Sequence, residues 1–467
     1  MLASHPPHQK PSQKSWRPLL AEAATEFPLT PLPILSGQVP SDLQGSLYRN
    51  GPARFRRGSQ RVGHWFDGDG ALLAVHLQPH GVSATYRFVQ TPQWQAEERQ
   101  QRFLYGNYGR RGLRVKNAAN TSVLALDDQV WALCEAGSPF ALGATHLETL
   151  GAVQRFAGPY SAHPKRDPQT GDIFNFGVAY GRQTHLHLYH HDPQGQIQRQ
   201  QRLALPYPTL IHDCILAPPY LLVMVPPLTI DVIAVLLQLK TYSQACTWTP
   251  HLGCRWLVFE ADTLELVQTL SGDPCFAWHF GRAQVNGTQI TVEGCFYDDF
   301  GSNEYLAQVV SGAIHRDPQG YFGRVTLDLS RKRVSAPEII LPRTCDFPTV
   351  SPTATYVGVH RQGSRFLPDL FSGLARWDGQ HWQETQWDEG IYPSEAIPVG
   401  DWLLTVVWKG HRHGAAPTGQ GSTGGSELWI LDAHDLTRDP VCRLGLPHPI
   451  PPSFHGTWRA ATATSTA

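Results

Sequence analysis

What most constrains this chain is its punctuation. From end to end, short apolar or alternating runs are broken by tight-turn chemistry, and helical periodicity is scarce. RDPQTGDIFNFGVAY (166–180), HLHLYHHDPQGQIQRQQ (185–201), WLVFEADTLELVQTL (256–270), RVTLDLSRKRV (324–334) and LWILDAHDLTR (428–438) share one pattern. Each reads as a strand, a turn built on Asp with Pro, Gly, Thr or Ser, and a second strand. Asn286-Gly287 reads as a type I′ hairpin turn, which needs positive φ at both central positions. The Asp-Gly pairs of WFDGDGALLAV (65–75) and RWDGQHWQE (376–384) repeat the signal. Hairpins spread over 467 residues are too many for a sandwich and predict a propeller or large barrel, although no strict repeat period is visible.

Composition removes several functions. With 38 Lys+Arg against 39 Asp+Glu, the chain lacks the electrostatic footprint of a nucleic-acid binder. The basic runs Arg54–Arg57 and Arg110–Lys116 read as solvated loop faces. Eight scattered cysteines with no CxxC pair argue against a disulfide scaffold or zinc ribbon and suit a reducing compartment. The polar start MLASHPPHQKPSQKSW has no apolar h-region, so no secretory signal is expected. Residues 1–15, the Gly/Ser/Thr-rich stretch 410–427 and the tail 459–467 read as flexible. Between Cys214 and Leu239 the only charge is Asp231, yet Pro218, Pro219, Pro226 and Pro227 break the run. The uninterrupted part, Leu228 to Leu239, is shorter than the ~20 residues of a spanning helix. It is either buried core or an exposed patch that dips into one leaflet.

No HExxH, Walker A loop or GxSxG elbow is present. Gly419, Gly421 and Gly424 match GxGxxG, but they lack the preceding strand and following helix of a dinucleotide site. Histidine is the abundant functional type, with 22 residues. The densest group, His185, His187, His190 and His191, reads as solvated side chains on an outer hairpin strand rather than as zinc ligands. Four others, His163, His212, His279 and His455, each follow an apolar or aromatic residue near an apparent strand end. Their separations of 49, 67 and 176 residues exclude a local metal motif and suit strands that converge on one axis. Spacing alone does not separate them from scattered core histidines.

A further set of motifs occurs in order: LQGSLYRNGP (43–52), HWFDGDG (64–70), VKNAANTSVLAL (115–126), ALCEAGSPFAL (132–142), SAHPKRDP (161–168), IHDCILAP (211–218), YPSEAIPV (392–399), LWILDAHDL (428–436) and FHGTW (454–458). On these the chain resembles the carotenoid cleavage oxygenase family nearly end to end, with greatest similarity to its microbial apocarotenoid-cleaving members. The resemblance implies an all-β, seven-bladed propeller over residues 16–458, with a dome of helices and loops above the metal. It implies that His163, His212, His279 and His455 bind Fe(II), and that Glu135, Asp346 and Glu395 accept hydrogen bonds from their second ring nitrogens. Four neutral imidazoles suit Fe(II) and leave two octahedral positions open for dioxygen or water. Carboxylates behind them fix each tautomer and balance the charge.

Two positions depart from the family pattern. Asp346 stands where the family has Glu, one methylene longer, so either the backbone comes closer or water bridges the gap. After His279, HFGRAQ replaces a pattern nearer HHANAFE, which alters the surroundings at Phe280. The implied activity is dioxygen-dependent cleavage of one double bond of an apocarotenoid, with the 15,15′ bond of an apocarotenal giving retinal-type products. The implied location is cytoplasmic and peripheral to a membrane, docked through 214–239. Alternatives are cleavage of a stilbene-like phenolic alkene, for which Tyr86 and Lys116 are candidate phenolate holders, polyene isomerisation, and a non-catalytic carotenoid-binding propeller.

Overall fold

The computed structural model describes residues 16–20, 23–111, 115–135, 137–316, 318–361, 369–385, 387–410 and 425–461. The glycines at 419, 421 and 424, residues 1–15 and most of 410–427 lie outside the described residues. Seven antiparallel sheets form a seven-bladed propeller. Numbered by their innermost strands, blade one carries Gly45–Arg54 and His455–Ala460, blade two Ser122–Ala125, and blade three Lys165–Arg166. Blade four starts at Cys214–Ala217, blade five at Phe276–Asn286, and blade six at Cys345–Val350. Blade seven starts with Ile391–Pro393 and Ile397–Val399, which both pair with Trp402–Lys409.

Both ends of the chain close the ring. His455–Ala460 pairs with Gly45–Arg54, from Asn50 opposite His455 to Gly45 opposite Ala460. Ile34–Gly37 adds to the outer edge of blade seven beside Cys442–Gly445. Closure covers strand edges that would otherwise template pairing with another chain. The strands near the axis are buried on both faces. Asp69–Gln78 is buried at every residue but the last, so it reads as a run, ALLAVHL, rather than as an alternation. Apolar side chains fill the wedges between blades: Leu73 and Val75 of blade one share a cluster with Leu428 and Ile430 of blade seven. Burying each such side chain contributes about 1.5–3 kcal/mol.

Above one face lie short helices and loops. Thr91 caps Pro92–Gln100 and Asp231 caps Val232–Leu236. Thr241 and Gln244 form a capping box on Tyr242–Ala245, and Gly312 ends Ser302–Ser311 at φ +68°.

Most predicted hairpins are present, with corrections. The loop after Phe276–Asn286 is Gly287-Thr288, because Asn286 pairs with Gln289 and only Gly287 takes positive φ. HWFDGDG is no hairpin: Trp65–Asp67 is a 3-10 turn, and the Asp67 carboxylate accepts the Gly109 N–H at 3.0 Å. After Gly425–Asp432 the next strand begins only at Cys442. The basic runs are not all solvated. Arg57 and Lys116 are buried in a network with Asp69, Glu97 and Glu98, with Arg57 Nη2 2.7 Å from Asp69 and Lys116 Nζ 2.6 Å from Glu97. A buried charge is tolerated only when paired in this way. His190 and His191 are buried, and their strand, His185–His191, has Ile197–Ala204 outside it. The stretch 214–239 divides: Cys214–Ala217 and Tyr220–Val225 are inner strands of blade four, while Ile233, Leu236, Leu237 and Leu239 are exposed. No helix among the described residues is long and apolar enough to cross a membrane. The last strand extends through Ala460, so the packed region outruns 458. No disulfide links the eight cysteines.

Candidate metal centre

Each blade delivers one residue to the axis. Blades three, four, five and one supply His163, His212, His279 and His455, at or just before an innermost strand. Blades two, six and seven supply Glu135, Asp346 and Glu395. All four imidazoles are buried. Ring centroids lie 4.4 Å apart for His163–His212, 5.0 Å for His163–His279, 4.8 Å for His163–His455, 5.0 Å for His212–His279 and 4.6 Å for His279–His455. One nitrogen each of His163, His279 and His455 lies within 4.8 Å of the others, and His163 and His212 make a similar group with Glu135.

The carboxylates stand behind the rings. His279 Nδ1 is 2.6 Å from Asp346 Oδ1, and His455 Nδ1 is 2.9 Å from Glu395 Oε1. Glu135 Oε1 is 3.0 Å from His212 Nδ1 and 3.6 Å from His163 Nε2. The shorter Asp346 therefore reaches its histidine directly, with no water between. The backbone closes the gap: the register shifts between Asp346 and Thr349, and Phe347 takes φ +58°. Two groups hold the carboxylate in place, Tyr297 OH donating to Oδ2 at 2.8 Å and the Phe347 N–H donating to Oδ1 at 2.8 Å. The second departure lies elsewhere. Phe280 packs between blades four and five, against Trp256 of the first and Phe296 of the second, and its N–H donates to Asp213 Oδ2 at 2.9 Å.

Electrostatics differ around the ring. Burial pushes His163 well below the usual imidazole range, and its three histidine neighbours push the same way. Burial also lowers His455, partly offset by Glu395. At His279 burial is outweighed by the Asp346 carboxylate, which raises it. Glu395 is held below the usual carboxylate range despite burial, by His455, by Arg49 and by the Gly456 N–H. Sequence reasoning missed Arg49, Tyr297 and the Lys165–Asp213 pair at 2.7 Å. Arg49 Nη1 donates to the Glu395 carbonyl at 2.6 Å. A basic residue inside the apolar run LYRNGP was the available signal for Arg49; the other two offered none.

His163 Nε2 and His279 Nε2 are buried with no hydrogen-bond partner. An unmet buried nitrogen costs about 1–3 kcal/mol, and two aimed at one point match the donor set of a divalent metal. Neutral imidazoles backed by carboxylates suit Fe(II), so the residues present fit the group implied.

Two chambers meet at the centre, and His212, Phe66 and Thr121 line both. The smaller has a volume of about 80 Å³ and aromatic walls that include Trp278, Phe347 and Phe454. The larger, about 730 Å³, reaches Leu236, Gln238 and Lys240. Lys116 lines it, but its ammonium is committed to Asp69 and Glu97. Tyr86 is buried in blade one against Phe27 and lines neither chamber. Neither residue is placed to hold a phenolate.

The family model described as retinal pigment epithelial membrane protein, RPE65, matches residues 20–460. Among characterised relatives, the apocarotenoid-15,15′-oxygenase of Synechocystis sp. is 26% identical over 98% of this chain and 99% of its own length. The isoeugenol monooxygenase of Pseudomonas nitroreducens is 26% identical over 91% of this chain and 93% of its own. A mutant of the Synechocystis apocarotenoid oxygenase superposes with a TM-score of 0.83 at 25% identity, covering 96% of this chain and 98% of that one. The cobalt-substituted form of that oxygenase superposes at 0.81 and 24% identity. The chain therefore belongs to the RPE65, or carotenoid oxygenase, family.

Proposed function

We propose that the chain is a non-haem iron(II) dioxygenase that cleaves one carbon–carbon double bond of a conjugated, apolar alkene of the apocarotenoid class. One observation carries the reading: four buried imidazoles from four blades cluster where two chambers meet, donor nitrogens of His163, His279 and His455 lie within 4.8 Å of one another, and carboxylates stand beside the rings. His163, His212, His279 and His455 would hold the metal. When bound, Fe(II) supplies the centre at which dioxygen is activated. Asp346 and Glu395 fix the His279 and His455 tautomers by accepting from Nδ1, while the Glu135 carboxylate stands 3.0 Å from His212 Nδ1 as a nearby charge. Phe66, Trp278 and Phe454 exclude water and press on the flat face of a conjugated substrate. No residue need act as nucleophile or general acid.

Similarity to the Synechocystis enzyme favours the 15,15′ bond of an apocarotenal. A second reading, an aryl alkene, is favoured by the unequal chambers and by likeness to an isoeugenol monooxygenase. Approach from a membrane rests on Ile233, Leu236, Leu237 and Leu239, between 64 and 74% exposed beside the mouth of the larger chamber. Co-sedimentation with vesicles that is lost in Leu237→Glu would support that approach, and unchanged co-sedimentation would remove it.

The deciding experiment is anaerobic purification with iron analysis, followed by incubation with apocarotenals, β-carotene and a hydroxystilbene under oxygen. About one iron per chain and two carbonyl products are expected. Far less iron with retained carotenoid binding identifies a carrier, and products that keep every substrate carbon identify an isomerase.

A further inference from the structure

We propose that Asp213 is a positioning residue for the metal centre: its carboxylate ties together the chain beside three of the four ligand histidines and so fixes the spacing of their rings. This rests on the dioxygenase reading, because the rings it spaces are those that would hold the iron. Asp213 is buried and lies between His212 and the innermost strand of blade four, Cys214–Ala217. Its Oδ1 accepts the Cys214 N–H at 2.8 Å and stands 2.7 Å from Lys165 Nζ. Its Oδ2 accepts the Phe280 N–H at 2.9 Å. Lys165 follows His163 by two residues on blade three, and Phe280 follows His279 directly on blade five. One side chain therefore spans three blades, within two residues of a ligand on each.

Neighbouring contacts point the same way. The ladder between Phe276–Asn286 and Gln289–Tyr297 shifts register on both sides of Phe280, and the Phe280 N–H crosses to blade four. Cys214 Sγ donates to the His163 carbonyl at 3.6 Å, a second tie between blades three and four. The fourth ligand is held by a different device. Arg49 Nη2 donates to the Phe454 carbonyl at 2.9 Å, next to His455, and Nη1 donates to the Glu395 carbonyl at 2.6 Å.

The residue type fits the task. An ionised carboxylate only accepts, so it meets two N–H groups and an ammonium without conflict. An amide at 213 would turn an NH2 group towards one of those three donors, and that tie would be lost. Charge is the competing account. A negative charge at 213 attracts a nearby cation whatever the geometry, and the positive charge of Lys165 repels one. The two accounts part at Lys165. Loss of its ammonium tightens metal binding if only charge matters, but disturbs the ligand spacing if the tie matters.

The test loads full-length native protein, Asp213→Asn and Lys165→Met with Fe(II) in the absence of oxygen and, for spectroscopy, with Co(II), whose visible bands report ligand geometry. Asp213→Asn is expected to bind iron about 10-fold more weakly in competition with a chelator and to shift the Co(II) bands. Lys165→Met keeps the carboxylate but cuts the tie to blade three. It is expected to shift the bands as well, and to bind iron no more tightly than the native protein. Tighter iron binding in Lys165→Met, with native bands in both variants, shows that charge alone acts and overturns the proposal. An Asp213→Asn protein that melts earlier without metal, yet keeps native affinity and bands, also overturns it, since its role is then confined to stability. If Asp213→Asn fails to fold, Lys165→Met decides by the same two measurements. Native protein that takes up neither Fe(II) nor Co(II) overturns the dioxygenase reading as well.

Discussion

Two groups of histidines lie far apart in sequence logic and in the molecule. His185, His187, His190 and His191 crowd seven residues of one strand in blade three. His163, His212, His279 and His455 are scattered over four blades. Only the scattered group converges. On a strand, alternate side chains point to opposite faces, so the crowded group is split. His190 pairs with Asp172 at 2.9 Å and stacks on Phe174, whereas His191 sits among Phe156, Tyr160 and Tyr189. Local density makes neighbours along a chain. A metal site needs donors aimed at one point, and a closed ring of blades provides that aim.

Exchange of alanines between the groups gives the largest contrast. His212→Ala should lose iron and double-bond cleavage to background, while His187→Ala should keep both; iron analysis and oxygen uptake read the two outcomes. If His212→Ala retained turnover, the convergence argument would fail. Behind the rings, Asp346→Asn and Glu395→Gln should each lower activity or iron affinity by about 10–100-fold, measured by competition with a chelator. A loss at Glu395 but not at Asp346 would mean that the one-methylene shortening had already uncoupled that carboxylate.

A smaller effect separates the groups by pH. Burial lowers His191 to about 4, against about 6.5 in the unfolded chain. Between these values the unfolded state binds the extra proton, so this contribution to stability is present above pH 6.5 and is lost as the pH falls towards 4. His191→Phe should reduce the stability lost between pH 7 and 5 by about 1–2 kcal/mol, measured by denaturant midpoints. Smallest of all, Asp172→Asn should cost about 0–1 kcal/mol and leave iron content unchanged; lost iron would show that blade three couples its outer strands to the centre.

Parts of this were legible beforehand. Asp-Gly at 378–379 does close a hairpin, between Trp377 and Trp382, with Gly379 at φ +97°. Asn286-Gly287 misplaced its turn by one residue, because pairing of Asn286 with Gln289 outweighed the local preference. Arg57 and Lys116 looked like surface charge because their counter-ions are distant: Asp69 belongs to another strand and Glu97 to a helix. The stretch 214–239 was uniform in hydropathy, but prolines divided it into two buried strands and an exposed helical turn.

The sequence by itself determined the strand-and-turn rhythm, the near-neutral charge and, through ordered motifs, the seven residues at the axis. Those are local properties, written in turn chemistry and in short runs of neighbours. Only the tertiary structure decided that Asp346 touches His279 without a bridging water, that Lys116 is spent on carboxylates, and that one chamber is about nine times the other. These depend on where distant backbones stop. A methylene more or less, or a ring turned into a cavity, is set by how the blades pack against each other.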